Sequence, residues 1–295
     1  KLHYYLSLNE IIEILLKENK IEKKQAEDII TFTNSLKQEN LFVEIFRNRT
    51  KSKKTKIIAS LDVGSLDDVL KISDIIHPYV CAIKIHADTF DDFEYKKIMK
   101  LKELSVKRDF FIIEDRKFSD IGIIVGKQYT HGVHRIKDWA DYVTVHSVSG
   151  YGVLTGLFGE IEKGNVGNAL IVASMSSDQN ITTCDYKELT IKMGIEYIRL
   201  VSGYICSAKD VETYLKIRSA VKDKQLVFSV GISLNDYNYI ADEFGQNHTT
   251  INNIKSIGYD GFIIGREIYR GYENSNNIEE FFVRRLESLM KKIEE

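Results

Sequence analysis

The chain has 295 residues, 43% hydrophobic and 28% charged, with a formal net charge of −2. That is enough apolar chain for one large core, and the near-neutral balance gives no electrostatic case for nucleic acid or a membrane surface as partner. Cys81, Cys184 and Cys206 are odd in number and lack Cys-x-x-Cys spacing, which suggests neither a disulfide framework nor a zinc site and favours a reducing compartment.

Residues 6–46 carry helical periodicity, with Leu6, Ile11, Ile14 and Leu15, then Ile29, Ile30, Phe32 and Leu36. The polar, basic run from Lys51 to Lys56 reads as a solvated linker. Residues 1–50 are therefore expected to form a helical N-terminal extension, and residues 51–295 the main domain. No apolar segment approaches membrane-spanning length and the N-terminus lacks the order of a signal peptide, so a cytoplasmic protein is expected.

From residue 57 the pattern becomes regular. Short apolar runs fall at 57–63, 80–86, 110–116, 142–147, 169–174, 198–203, 226–231 and 262–266. Amphipathic stretches between and after them, at 65–77, 91–107, 122–139, 183–194, 207–222, 233–257 and 277–292, read as helices. Alternating strands and helices point to parallel β–α units, and eight strands close a (β/α)8 barrel. A doubly wound open sheet would need a Gly-rich turn after the first strand, which Asp62-Val63-Gly64-Ser65 matches poorly.

Functional groups collect at the C-terminal ends of the runs: Ser60 and Asp62, Lys84 and His86, Asp115 and Lys117, Thr144 and His146. Each pair is two residues apart, so its members share one strand face, and the C-terminal mouth of such a barrel holds the active site. Asp120 falls just past its strand, out of phase with Asp115 and Lys117. His146 alone reads more readily as a satisfied barrel histidine than as a catalytic one. The last two strands end in Ser229-Val230-Gly231 and Ile264-Gly265-Arg266. Glycines there let backbone N–H groups approach an anion and Arg266 adds a bidentate partner, which favours phosphate.

The stretch from Asp115 to Gly122, D-R-K-F-S-D-I-G, resembles the D-R-K-F-A-D-I-G signature of the orotidine 5′-monophosphate decarboxylase family. Further matches run in order: S-L-D at 60–62, K-I-H at 84–86, K-Q-Y at 127–129 and W-A-D at 139–141. G-Y-G-V-L-T-G at 150–156, M-S-S at 175–177, G-Q at 245–246 and I-G-R at 264–266 continue the series. Residues 2–43 also look like the segment joining the two halves of animal-type UMP synthase, so the chain is expected to correspond to the C-terminal part of such a protein.

The resemblance implies a metal-free, cofactor-free carboxy-lyase that converts orotidine 5′-monophosphate to UMP in pyrimidine synthesis, acting as a homodimer with shared sites. It implies a catalytic network of Lys84, Asp115, Lys117 and Asp120, with Asp120 and Ile121 reaching the partner's site. Asp62 and Lys84 hold ribose hydroxyls, with Ser60 and His86 alongside; Ser176 meets the pyrimidine amide, and Gln246, Gly265 and Arg266 hold the phosphate. Lys117 stabilises a carbanion at C6 and protonates it. Four positions depart from the family pattern: Ile123-Ile124 replaces Asn-Thr, Val230 replaces a proline and His248 a tyrosine. A nucleotide-binding scaffold without turnover, and a metal-dependent sugar-phosphate enzyme built on D-x-K-x-x-D, are the rival readings.

Overall fold

Eight short parallel strands, each completely or largely buried, close on themselves. The structure, a computed structural model, describes residues 14–18, 20–26, 40–160, 163–233, 245 and 248–294. The strands are β1 (Ile57–Ser60), β2 (Ala82–Ile85), β3 (Phe111–Phe118), β4 (Tyr142–Val145), β5 (Ala169–Val172), β6 (Val201–Ser207), β7 (Leu226–Val230) and β8 (Gly261–Ile264). They hydrogen-bond in the closed order β1-β8-β7-β6-β5-β4-β3-β2. The helices are α1 (Leu41–Lys53), α2 (Leu66–Ile76), α3 (Tyr95–Arg108), α4 (Gly122–Thr130), α5 (Gly152–Phe158), α6 (Cys184–Glu196), α7 (Val211–Val221), α8 (Ile251–Ile254), α9 (Arg266–Tyr269) and α10 (Ile278–Glu294). Among the described residues no helix is long and apolar enough to cross a membrane.

Alternation along the strands sorts two cores. Ile57, Ala59, Ile83, Ile85, Ile112, Val143 and Val145 point outward beneath the helices, where α2 buries Leu66, Val69, Ile72 and Ile76 at helical spacing. Ile58, Ala82, Phe111, Ile113, Tyr142, Leu170, Phe228 and Ile263 point inward and fill the barrel. The next inward positions toward the C-terminal end are Ser60, Lys84, Asp115 and Thr144, so on these four strands one two-residue step leads from an apolar layer to a polar one.

The N-terminal end is closed by α1, which runs through the boundary expected at residue 50 and through half of the expected linker, to Lys53. Its last turn carries Lys51 and Lys53, and Lys54 ends it in the left-handed conformation. Polar composition here marks a solvent-facing turn of helix, which is why it reads as a linker. The ring centroid of Phe46 lies 4.8 Å from that of Phe228, 5.6 Å from Phe111 and 5.8 Å from Tyr142, plugging the barrel floor. Asn40 fastens the start of α1: its Oδ1 accepts the Phe42 N–H at 3.0 Å and its Nδ2 donates to the Gly167 carbonyl at 2.9 Å. Of the earlier periodic residues, Ile14 and Leu15 lie in a short helical piece; Leu6, Ile11, Ile29, Ile30, Phe32 and Leu36 lie outside the described residues.

Three helical expectations change. The helix expected over 122–139 ends at Thr130, followed by a 3-10 turn at Ile136–Asp138. Of the one expected over 233–257, the described residues Ser233 and Thr249–Thr250 lie in a short two-stranded pair and Ile251–Ile254 form α8. No helix is expected between β4 and β5, yet α5 is there. Glycines in a sequence signal turns, but Gly156 permits contact with α4: a Cβ there would stand 2.1 Å from the Gly122 carbonyl oxygen. The sixth strand starts and ends later than expected, running through Tyr204 and Cys206 to Ser207.

Glu114 points outward from β3 and is fully buried, with its Oε2 3.1 Å from the Ala87 N–H. Burial pushes its carboxyl up to about 8, against the pull of that N–H. The folded state thus binds this proton more tightly than the unfolded chain. The resulting stability is full below the ordinary value of 4.5 and is lost as pH rises through about 8.

Two outcomes follow. Phe46→Ala removes the floor plug and is expected to cost about 3–5 kcal/mol in urea unfolding; a loss below about 1 kcal/mol contradicts the plug. Glu114→Gln should gain stability relative to wild type between about pH 5 and pH 8.5, and a difference that stays constant over that range contradicts the buried, proton-holding carboxyl.

Candidate active site

The strand register brings the charged residues together. Ser60 pairs with Lys84 across β1 and β2, and Glu114 pairs with Val143, which sets the following residues Asp115 and Thr144 side by side. Asp115 is the hub. Its Oδ2 meets the Lys84 Nζ at 2.6 Å and the His86 Nε2 at 3.1 Å; its Oδ1 meets the Lys117 Nζ at 2.9 Å and accepts the Thr144 hydroxyl at 2.7 Å. A second carboxylate extends the network: Asp62 receives His86 Nδ1 at 2.9 Å and the Ser60 hydroxyl at 3.1 Å.

Charge balance follows from this geometry. Burial alone would raise the Asp115 carboxyl, but the Lys84 ammonium, the His86 hydrogen bond and the Lys117 charge together hold it well below the usual carboxylate range. Burial would likewise lower Lys84, yet Asp115 and Asp62 raise it above its ordinary value. Both nitrogens of His86 face carboxylates, an arrangement that only the doubly protonated ring satisfies fully. Against the lowering effect of burial, its hydrogen bonds to Asp115 and Asp62 raise its pKa. Asp62 is lowered, because His86 and Lys84 outweigh its burial.

Lys117 does not continue β3 as a regular strand. The pairing with β4 shifts between Glu114 and Phe118, and Lys117 has φ +50°, left-handed for a residue with a side chain. That conformation costs about 1–2 kcal/mol. Its N–H donates to the Thr144 Oγ1 at 2.8 Å. The two-residue spacing of Asp115 and Lys117 was legible in the sequence; the bulge that turns their side chains into an ion pair was not.

A cavity of about 830 Å³ opens at this end of the barrel. Ser60, Asp62, Lys84, His86, Asp115, Lys117, Ser176, Gly265 and Arg266 all line it. Asp120 does not: it is exposed, with its Oδ1 accepting the Ile121 N–H at 2.7 Å, and Ile121 is 61% exposed. Gln246 lies outside the described residues. The sequence marked Met175 only within a motif and did not single out Glu267 or Arg270, which also line the cavity; Glu267 lies in α9, directly after Arg266, and Arg270 caps that helix. His146 gives its Nδ1–H to the Tyr186 hydroxyl at 2.9 Å, and that hydroxyl donates to the Val172 carbonyl at 3.0 Å, so the ring is satisfied within the barrel wall. Among the described residues no group of three or more His, Cys, Asp or Glu side chains stands arranged to hold a metal ion.

Chemically, this is a pocket with a fixed, carboxylate-held ammonium at its centre and an arginine at its edge. A pre-formed cation of that kind stabilises negative charge as it develops, without reorganisation.

Comparison with known proteins places the chain in a family. The protein-family model of the orotidine 5′-phosphate decarboxylase / HUMPS family matches residues 55–281. An orotidine 5′-phosphate decarboxylase of Yarrowia lipolytica is 32% identical over 258 residues, covering 78% of this chain and 86% of that protein. One of Candida glabrata is 36% identical over 223 residues, covering 74% and 80%. Among solved structures, the Sulfolobus solfataricus orotidine 5′-monophosphate decarboxylase superposes with TM-score 0.57 at 19% identity, covering 81% of this chain and 99% of that one. The Methanocaldococcus jannaschii enzyme, complexed with the inhibitor BMP, gives TM-score 0.55 at 19% identity, covering 80% and 98%. At that identity the superpositions speak to the barrel alone. The family match and the fungal relatives carry more, and on them the chain belongs to the orotidine 5′-phosphate decarboxylase / HUMPS family.

Proposed function

We propose that the chain is an orotidine 5′-phosphate decarboxylase whose active site is the cavity at the C-terminal mouth of the barrel. The observation that carries this reading is the ion-paired set of Lys84, Asp115 and Lys117 inside a cavity that also presents Arg266. Decarboxylation breaks the bond between C6 of the orotate ring and its carboxyl carbon. The electron pair left on C6 has no carbonyl placed to delocalise it well, so the protein must stabilise it electrostatically. Lys117 takes that role: its ammonium faces the developing anion and then gives C6 a proton, leaving CO2 and UMP. Asp115 stands against the substrate carboxylate, and that repulsion is relieved when CO2 departs.

Binding is divided among the other groups. Asp62 and Lys84 hold the ribose hydroxyls with Ser60 and His86 behind them, Ser176 bonds the pyrimidine amide, and Gln246, Gly265 and Arg266 hold the phosphate. Phosphate binding far from C6 supplies energy that the reacting centre uses. The enzyme works in the cytoplasm as a homodimer, with Asp120 and Ile121 of each copy completing the other's site. Supporting this, Asp120 is exposed and lies outside the cavity its own chain lines, beside Ile121 and Ile123, which are 61% and 67% exposed.

Purified protein is expected to consume orotidine 5′-phosphate, read as loss of its absorbance, at a rate unchanged by a chelator. No loss contradicts the function; UMP binding without turnover indicates the scaffold reading, and chelator sensitivity the metal-dependent one. Lys117→Ala should lower kcat by at least about 10³-fold while UMP affinity stays within a few fold; wild-type turnover in that variant contradicts the role of Lys117. Mixing Lys117→Ala with Asp120→Ala should restore up to about one quarter of wild-type activity, since half the dimers then hold one intact site. A mixture as inactive as its components contradicts the shared site.

A further inference from the structure

On the decarboxylase reading above, we propose that Thr144 is a positioning residue: through one buried hydroxyl it fixes both the backbone from which Lys117 projects and the carboxylate that holds its ammonium. Thr144 is fully buried on β4. Its Oγ1 accepts the Lys117 N–H at 2.8 Å and donates to the Asp115 Oδ1 at 2.7 Å, and that same Oδ1 meets the Lys117 Nζ at 2.9 Å. Lys117 is therefore held at both ends, main chain and side-chain tip, by a loop of contacts that passes through a single oxygen.

The need for such a device lies in the backbone. Regular pairing of β3 with β4 stops after Glu114 and resumes at Phe118, and Lys117 sits between them at φ +50°. The Thr144 hydroxyl receives its N–H where the ladder is interrupted. A hydroxyl can accept from an N–H and donate to a carboxylate through one atom, and β-branching narrows its rotamers. Without it the bulge loses the contact that opposes its relaxation, and the Lys117 ammonium moves relative to the pyrimidine. Arg266 and Ser176 stand after other strands, so nucleotide binding is spared.

The test compares Thr144→Val, which keeps the shape and loses the hydroxyl, with Thr144→Ser, which keeps the hydroxyl. Each is measured for kcat and KM with orotidine 5′-phosphate, for UMP affinity and for melting temperature; Thr144→Ala repeats the loss of the hydroxyl if the valine variant does not fold. Thr144→Val is expected to lose about 10- to 100-fold in kcat, as a small misplacement does, with UMP affinity within about 2-fold of wild type and Thr144→Ser restoring most of the rate. Wild-type kcat in Thr144→Val overturns the inference, as does a Thr144→Ser variant equally slow. Parallel loss of melting temperature, UMP affinity and rate overturns it too, in favour of a purely structural threonine. An inactive wild type removes the decarboxylase reading and this inference with it, whereas an active wild type with an unaffected valine variant removes this inference alone.

Discussion

A single carboxylate, that of Asp115, sets the terms for the whole barrel mouth. It is 8% exposed and touches two lysines, a histidine and a threonine hydroxyl. Removing an ion from water costs several kcal/mol, and one opposite charge near 3 Å at an effective dielectric of about 20 returns roughly 5 kcal/mol. One partner barely offsets that cost; several exceed it, so Asp115 stays ionised. Its partners are then held in return. Lys84 is held at 2.6 Å against it, and Lys117 is fixed where a cation is needed.

The same strands do opposite work at their two ends. Inward residues near the barrel floor are aromatic or aliphatic and are sealed by Phe46 of α1. One or two inward positions further on they become Ser60, Lys84, Asp115 and Thr144. The apolar layer makes the polar layer rigid, because charged side chains rise from strands whose lower halves are packed on every side. Helices α4 and α5 then pack where glycines leave room, just beyond the strands that supply Asp115, Lys117 and Thr144.

Much of this was legible in the sequence, for physical reasons that can be named. Strand side chains repeat every two residues, so pairs such as Lys84 and His86 or Asp115 and Lys117 share a face by their spacing alone. Buried strands are apolar runs, so all eight were found. The floor plug was missed because Lys51 and Lys53 make the end of α1 look like a linker. Helix α5 was missed because Gly156 serves close packing against Gly122, and glycine in a sequence signals a turn more often. Thr144 appeared among the strand-end polar residues, but its contact with the Lys117 backbone depends on a bulge that no periodicity announces. For Asp120 the sequence offered only a phase difference, and an exposed side chain outside the cavity its own chain lines gives a single chain little more.

The most direct test of an ionised, cation-held Asp115 is a carbon-13 NMR titration of its carboxyl in the folded protein. Lys84, His86 and Lys117 should keep it a carboxylate from neutral pH down past its ordinary value of 3.8. A midpoint above that value would mean that burial has won, and the charge cluster at the barrel mouth would not exist as described.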